Sequence, residues 1–251
     1  MKNKGSSIII LFLCVLLIIC IYIFINSESS LGSSDTTTTT ATTTATTTVT
    51  TTSETIYNND SIPDYTGSAY IAINENKPNF IDSDYSTTSF ETYSPLDSLG
   101  RCGVAYANIG VDLMPTEKRG SISNVKPSGW QSVKYDNVPG KYLYNRCHLI
   151  GYQLTGENDN EKNLITCTRF MNASTMLYFE DLTADYIKKT NNHVLYRVTP
   201  VYTDDDLVAK GVQMEISSVE DKCSSLCYNV FVYNVQDGIK IDYKTGLSER
   251  S

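Results

Sequence analysis

The stretch Tyr144-Asn145-Arg146-Cys147-His148-Leu149-Ile150-Gly151-Tyr152 decides how the rest of the chain is interpreted. It holds one of only two histidines in a chain of 251 residues. If the stretch is a strand, its side chains alternate, so Arg146 and His148 share one face while Asn145 and Cys147 share the other. A cation beside a titratable imidazole, followed downstream by Asn163 and Asn172, predicts chemistry on an anion.

The protein is acidic, with 20 basic and 28 acidic residues and a net charge of -8. Nucleic-acid-binding modules usually cluster Lys and Arg on one face, so the composition argues against a broad basic binding surface. A catalytic site needs positive charge only locally, and a divalent metal ion can supply it. A hydrophobic content of 41% is enough for a packed core, and 18 tyrosines are typical of a sheet-rich extracellular protein.

The N-terminus predicts a membrane anchor. An unbroken apolar run of 18 residues extends from Ile8 to Ile25, close to the minimum length of a membrane-spanning helix. Lys2 and Lys4 precede it, which predicts residues 1–7 in the cytoplasm and the rest of the chain outside. We therefore expect a transmembrane signal anchor over residues 8–25, with a cleaved signal peptide as the alternative.

A stalk and a folded domain follow the apolar run. Residues 26–55 are dominated by Ser and Thr, and the part from Thr36 to Thr52 is almost pure threonine. Such a tract cannot bury apolar surface, so it is expected to be a disordered, solvated stalk. Residues 56–251 are predicted to form the folded domain.

Within that domain the pattern predicts an α+β fold, an antiparallel sheet with one long helix. The helix is expected over residues 172–190, ending at Lys188 and Lys189, and its apolar stripe comprises Met176, Leu177, Phe179, Leu182 and Tyr186. Asn172 and Glu180 then lie roughly 80° apart around the helix axis, so they can border one site. Strands are predicted over 103–109, 141–150, 194–202, 211–219, 228–235 and 239–243, with a short extended piece over 163–166.

Two of the seven cysteines, Cys14 and Cys20, lie in the apolar run, which leaves five outside it. An extracellular compartment favours disulfides. Cys223 and Cys227 flank a three-residue loop and are predicted partners, as are Cys102 and Cys147 beside the site. Cys167 is then the odd cysteine. Zinc is the competing explanation, but adjacent Cys147 and His148 point to opposite faces of a strand and make a poor ligand pair.

The residues around His148 resemble those of the non-specific DNA/RNA endonucleases with a ββα-metal (His-Me) finger, in particular the DNA-entry nuclease branch. The resemblance rests on the opening stretch together with Lys162-Asn163-Leu164-Ile165, Phe170-Met171-Asn172 and Tyr178-Phe179-Glu180, and it extends from about Tyr65 to Gly246. The family motif is Asp-Arg-Gly-His, whereas this chain has Asn145-Arg146-Cys147-His148. Asn145 removes a charge beside the arginine.

The resemblance and the chemistry of phosphodiester hydrolysis together imply a role for each residue. His148 is expected to act as general base on water, and Asn172 to hold a single Mg²⁺, for which Mn²⁺ can substitute. Glu180 would hold metal-bound water, Asn163 would orient His148 or a metal-bound water, and Arg146 would contact phosphate. In the loop Thr116–Ser121, Lys118 and Arg119 are weaker candidates for contact with the nucleic-acid backbone.

Three functions are consistent with the sequence. The first is a membrane-tethered extracellular endonuclease that cuts DNA, and by expectation RNA, without strong sequence preference. The second is a surface DNA-binding or uptake receptor of the same fold without activity. The third is an adhesive domain presented on a stalk, which leaves the constellation of His148, Asn163, Asn172 and Glu180 unexplained.

Overall fold

The computed structural model describes residues 62–251. The predicted cytoplasmic segment 1–7, the transmembrane anchor 8–25, the stalk 26–55 and the first residues of the 56–251 domain lie outside the described residues. Within residues 62–251, no helix is long and apolar enough to cross a membrane.

A six-stranded antiparallel sheet forms the body of the fold, in the order β1-β8-β7-β6-β3-β2. Its strands are β1 (Tyr70–Ala72), β2 (Phe90–Tyr93), β3 (Ala105–Ile109), β6 (Val194–Val201), β7 (Gly211–Ser218) and β8 (Cys227–Tyr233). The predicted strands are all present in this region, somewhat shortened. The short edge strand β2 is absent from the sequence-based prediction, since four residues carry too little alternation to indicate a strand.

The side chains of the central strand β7 show that both faces of the sheet are covered by other parts of the chain. Its residues Val212, Met214 and Ile216 face the main hydrophobic core, which also contains Phe179 and Ile187 of the long helix. The alternate residues of β7 are polar and lie under the segment that precedes β2. There the backbone N–H of Asn79 donates to Glu215 (2.8 Å), and the hydroxyl groups of Tyr85 and Ser217 lie 3.0 Å apart.

A separate two-stranded hairpin carries the opening motif. It pairs β4 (Tyr144–His148) with β5 (Leu164–Thr168), so that His148 lies opposite Leu164. Between them lie a short helix, α1 (Tyr152–Thr155), and a 3₁₀ turn (Glu161–Asn163). The chain then enters a π-helical turn (Met171–Met176) and the long helix α2 (Leu177–Thr190). The hairpin and α2 form the expected ββα unit. A second small hairpin, β9 (Ile239–Ile241) with β10 (Ser248–Arg250), closes the chain.

The start of the long helix differs from the prediction. Its first turn is π-helical, with hydrogen bonds one residue longer than in an α-helix, so the regular spacing of 100° per residue does not hold there. As a result Leu177, predicted to be in the apolar stripe, is 38% exposed, whereas Met176 and Phe179 are buried. The end agrees with the prediction, because Asn191 takes a left-handed conformation and caps the helix.

One of the two predicted disulfides is wrong. Cys147 on β4 is bonded to Cys167 on β5, not to Cys102, because the antiparallel register brings these two strand positions to a Cα separation of 5.9 Å. Cys102 is the free cysteine among the described residues, and its buried thiol donates to the carbonyl of Leu164 (3.2 Å). The pairing of Cys223 with Cys227 is confirmed.

Candidate active site

The imidazole of His148 is held in one tautomer by the backbone. Nε2 lies 2.7 Å from the carbonyl oxygen of Asn158, and a carbonyl can only accept, so Nε2 carries the proton and Nδ1 carries the lone pair. Removal from water and the charge of Arg119 lower the pKa of His148 to about 4, against the opposing effect of the Asn158 carbonyl. The side chain is therefore neutral at physiological pH, the state that a base must have.

The basic loop Thr116–Ser121 reaches the histidine through Arg119. Its guanidinium Nη2 lies 3.2 Å from Nδ1 of His148. Two contacts hold the loop in place: the backbone N–H of Gly120 donates to the side-chain oxygen of Asn158 (3.1 Å), and the hydroxyl of Tyr152 donates to the carbonyl of Glu117 (2.8 Å). Lys118 is exposed, and no side-chain contact is recorded for it within residues 62–251.

Glu180 lies on α2 with its carboxylate against the backbone of Gly151, the last glycine of the opening motif. A Cβ at position 151 would lie 2.4 Å from Oε2 of Glu180. Removal from water raises the pKa of Glu180 to about 7, although a hydrogen bond from Gln153 and the charge of Arg119 lower it. The carboxyl group therefore titrates near physiological pH. The charge of Arg119 lowers the pKa of both groups.

Asn163 bonds the backbone close to His148, and its predicted role of orienting His148 or a metal-bound water stays a prediction. It is wholly buried, and both ends of its amide bond the backbone of Ile150. Its Oδ1 accepts from the N–H (2.9 Å), and its Nδ2 donates to the carbonyl (3.0 Å). Asn163 therefore fixes the path of the chain just after His148, and its effect on the ring is indirect.

Arg146 is turned toward the protein in this structure. Its Nε donates to the carbonyl of Val125, its Nη2 donates to the carbonyl of Ser123 (3.0 Å), and its guanidinium stacks over the ring of Trp130 at 4.0 Å. These contacts tie the loop before β4 to the hairpin. The predicted contact with phosphate stays a prediction. Trp130 is half-buried beside a small core cluster and is the platform for this cation.

Asn172 lies in the π-helical turn, half-buried, and its amide makes no recorded hydrogen bond to another part of the described chain. Single π-helical turns frequently occur at functional sites, where they re-aim a side chain. An amide oxygen is a hard donor of the kind that Mg²⁺ prefers. Residues 62–251 contain no group of three or more His, Cys, Asp or Glu side chains able to hold a metal ion. The amide oxygen of Asn172 suits such an ion chemically, and metal binding by Asn172 stays a prediction.

Sequence reasoning missed three residues that shape the site. Asn158 bonds both His148 and the basic loop, Gly151 makes room for Glu180, and Tyr196 lies beneath Glu180 in the core. The hydroxyl of Tyr196 is buried and has no hydrogen-bond partner within the described residues. Burial, with the charge of Glu180 as the second cause, raises the pKa of Tyr196. Asn158 was detectable only as one of a run of turn-forming residues. The other histidine, His193, pairs with Glu220 (2.8 Å) away from this constellation.

The hairpin, its base and the carboxylate on the following helix define a hydrolytic site of the ββα class. A family model described as DNA/RNA non-specific endonuclease matches residues 79–220, which is more than half of the chain, so this protein belongs to that family. The match confirms the resemblance seen in the motifs and is consistent with the DNA-entry branch. The protein is thus a member of a family of endonucleases.

Solved structures of nucleases have the same fold. NucA from Streptococcus agalactiae with a magnesium ion bound is 27% identical and covers 72% of this chain and 86% of its own, with a TM-score of 0.64. The Sda1 nuclease with a bound zinc ion is 26% identical and covers 73% of this chain and 97% of its own, with a TM-score of 0.59. A more distant extracellular endonuclease, 17% identical with a TM-score of 0.53, shares the fold.

Proposed function

We propose that this protein is an extracellular, membrane-tethered endonuclease that hydrolyses phosphodiester bonds of DNA and RNA without strong sequence preference. The observation that carries the proposal is the state of His148, a neutral imidazole whose Nε2–H is fixed by the Asn158 carbonyl and whose Nδ1 holds the lone pair. A base in that state can accept a proton from water near neutral pH.

The chain's own residues account for the proton transfer. His148 Nδ1 takes a proton from a water molecule, the water oxygen attacks phosphorus, and the bond to the leaving ester oxygen breaks with transfer of a solvent proton. The Asn158 carbonyl stabilises the imidazolium that forms, because it accepts from Nε2–H in both protonation states. Asn163 holds the strand end beneath the ring. Lys118 and Arg119 supply positive charge for the phosphate backbone.

The proposal includes one divalent cation held by Asn172, with Glu180 binding a water of its shell. When bound, such an ion supplies positive charge to the phosphate and to the leaving oxygen. The neighbours solved with magnesium and with zinc support a divalent ion, and Mg²⁺ is our choice because the donors are oxygen atoms. We expect Asn172→Ala to abolish cutting while binding of DNA persists.

Cleavage of a supercoiled plasmid tests the function. We expect the full-length protein to nick the plasmid with Mg²⁺ and to lose activity in EDTA. His148→Ala should lower the rate by about 10²-fold or more, and His148→Gly should regain activity with added imidazole. His193→Ala is the matched control, because the other histidine lies with Glu220, and it should cut normally. A His148→Ala protein as active as the wild type would refute the mechanism, and DNA binding without cutting would favour the receptor.

The tether is proposed from the apolar run Ile8–Ile25, and it has its own test. The full chain should partition with membranes, and its threonine stalk should be open to protease added from outside. A mature protein whose first residue lies near Asn26 or Ser27 would show instead that the run is a cleaved signal peptide.

A further inference from the structure

The lone pair of His148, the proposed base, already accepts a hydrogen bond in the free protein. Nδ1 of His148 is the nitrogen with the lone pair, and the guanidinium of Arg119 already donates to it at 3.2 Å. A ring nitrogen has one lone pair, so it cannot accept from Arg119 and take a proton from water at the same time. The imidazole is only 6% exposed, whereas the arginine that contacts it is an exposed residue.

The backbone beneath Arg119 is held while its side chain can move. Gly120 is bonded to Asn158 and Glu117 to Tyr152, so the loop is anchored on both sides of the arginine. The guanidinium faces His148 and interacts with the carboxylate of Glu180, and no ion pair of Arg119 shorter than 4.0 Å is recorded in residues 62–251. A swing of the side chain alone would therefore uncover Nδ1 without breaking the loop.

A phosphodiester is the ligand that would draw this guanidinium away. Hydrogen bonds from guanidinium to an anionic phosphate are charge-assisted and often paired, and they are roughly twice as strong as bonds between neutral groups. The bond to Nδ1 has the same charged donor but a neutral acceptor, so it lacks the attraction between opposite charges that a phosphate adds. We therefore expect the guanidinium to prefer the phosphate when one reaches it.

We propose that Arg119 covers the lone pair of His148 in the free enzyme and transfers to the substrate phosphate on binding, so that the base is released only when a phosphodiester is in place. This inference rests on the proposed function and adds a sensing step to it. Arg119 is then a positioning residue for His148 in the free enzyme and a phosphate ligand in the complex.

Histidine-selective ¹⁵N NMR on the full chain in detergent micelles tests the exchange directly, because the protein has only two histidines. EDTA is kept present so that nothing is cut. The ¹⁵N shift of an unprotonated imidazole nitrogen reports whether it accepts a hydrogen bond. A single-stranded oligonucleotide of about ten nucleotides is the probe, and His193 is the internal reference.

We expect three results. In the free wild type, the Nδ1 signal of His148 should show an accepted hydrogen bond and a titration midpoint near pH 4. Arg119→Gln should move that signal toward the value of a free lone pair and raise the titration midpoint above that of the wild type, while burial still keeps it low. Lys118→Gln, the neighbouring loss of one charge, should change neither. Saturation of the wild type with the oligonucleotide should move the Nδ1 signal in the same direction as Arg119→Gln does.

Two outcomes would overturn the inference. One is an Arg119→Gln spectrum identical to the wild type, which would mean that Arg119 does not occupy Nδ1 in solution. The other is a wild-type Nδ1 signal that keeps its free-enzyme shift in the saturated complex and differs there from the signal of Arg119→Gln, which would make Arg119 a fixed partner of the ring. Neither outcome depends on cutting, so plasmid nicking by the same preparation reports on the proposed function separately.

Discussion

At position 151 the chain has a hydrogen atom where any other residue would have a methyl group or more, and the Glu180 carboxylate occupies that space. The contact links the end of the histidine strand to the helix that carries the carboxylate. The distance from a Cβ to Oε2 would be 2.4 Å, below any van der Waals contact, so a side chain here must displace Glu180. The glycine thereby sets the distance between the two groups of the site.

We expect Gly151→Ala to lower kcat by about 10²-fold, because a displacement of roughly 1 Å in a catalytic group has that cost. The measurement is nicking kinetics with the melting temperature recorded alongside. Glu180→Ala provides the matched background, since without the carboxylate the added methyl group has nothing to strike. If Gly151→Ala destabilises the Glu180→Ala protein as much as the wild type, the clash is with something other than the carboxylate.

The two titratable groups of the site predict the acid limb of the pH–rate profile. His148 must be neutral, which holds above about pH 4, and Glu180 must be ionised, which its raised pKa delays until about pH 7. Activity should therefore rise with pH through about 7, and Glu180 sets the midpoint. Added Mg²⁺ should move the midpoint lower, because a nearby cation favours the carboxylate. A midpoint near pH 4 that does not change with the Mg²⁺ concentration would contradict the assignment of this midpoint to Glu180.

At the same scale, sequence reasoning predicted candidate residues but not all of the contacts among them. Motif and spacing indicated His148 and Glu180, and the basic loop indicated Arg119, which contacts His148 and whose charge acts on Glu180. The hydrogen-bond partners of Asn163 and Arg146 could not be predicted from the sequence. Both side chains bond backbone N–H or carbonyl groups elsewhere in the chain. Such bonds depend on where the chain folds back, which no local pattern encodes.

Among the elements, the β4–β5 hairpin carries His148, and a disulfide links its two strands. The Cys147–Cys167 bond closes a sequence separation of 20 residues that contains His148, α1 and Asn163. The sequence predicted a disulfide at Cys147 but chose the wrong partner, because pairing depends on strand register and a stretch such as 163–166 does not reveal its register alone. The π-helical turn was missed for a similar reason, since α and π turns share the same residue preferences.

Peptide mapping without reductant should recover a cross-link between Cys147 and Cys167, and alkylation after denaturation should label Cys102. Loss of the bond in a Cys147→Ala/Cys167→Ala protein should cost about 3 kcal/mol of unfolding free energy for a loop of this size. The control, Cys223→Ala/Cys227→Ala, opens a separation of only four residues and should cost about 2 kcal/mol. Recovery of a Cys102–Cys147 peptide would restore the original pairing and contradict the structure.

At the scale of the whole molecule, the net charge affects how strongly the protein attracts a nucleic acid. A net charge of -8 repels nucleic acid at long range, and the attraction must come from the few cations beside the site and from the metal. The fold class could be predicted from the sequence because several extended stretches follow the long helix, and the alternation of β7 is regular. The separation of the β4–β5 hairpin from the main sheet could not be predicted, because the pattern of a strand does not show which other strand it pairs with.

We expect a shallow salt dependence. With Lys118 and Arg119 as the phosphate contacts, the logarithm of kcat/KM at fixed Mg²⁺ activity should fall with the logarithm of NaCl concentration with a slope of about -2. Lys118→Gln should reduce the slope by about one. A slope steeper than about -5 would require a broad basic surface that the composition does not offer.

If this protein is the extracellular endonuclease proposed above, the cell that makes it holds a catalyst able to cut its own chromosome until the chain is exported. Cytosolic thiols stay reduced, so the Cys147–Cys167 bond should form only after the chain has crossed into an oxidising compartment. The hairpin that carries His148 would then gain its stabilising disulfide only outside the producing cell. Nuclease activity inside that cell should be lower for this reason, and we expect expression in an oxidising cytoplasm to be more toxic to the host than expression in an ordinary one.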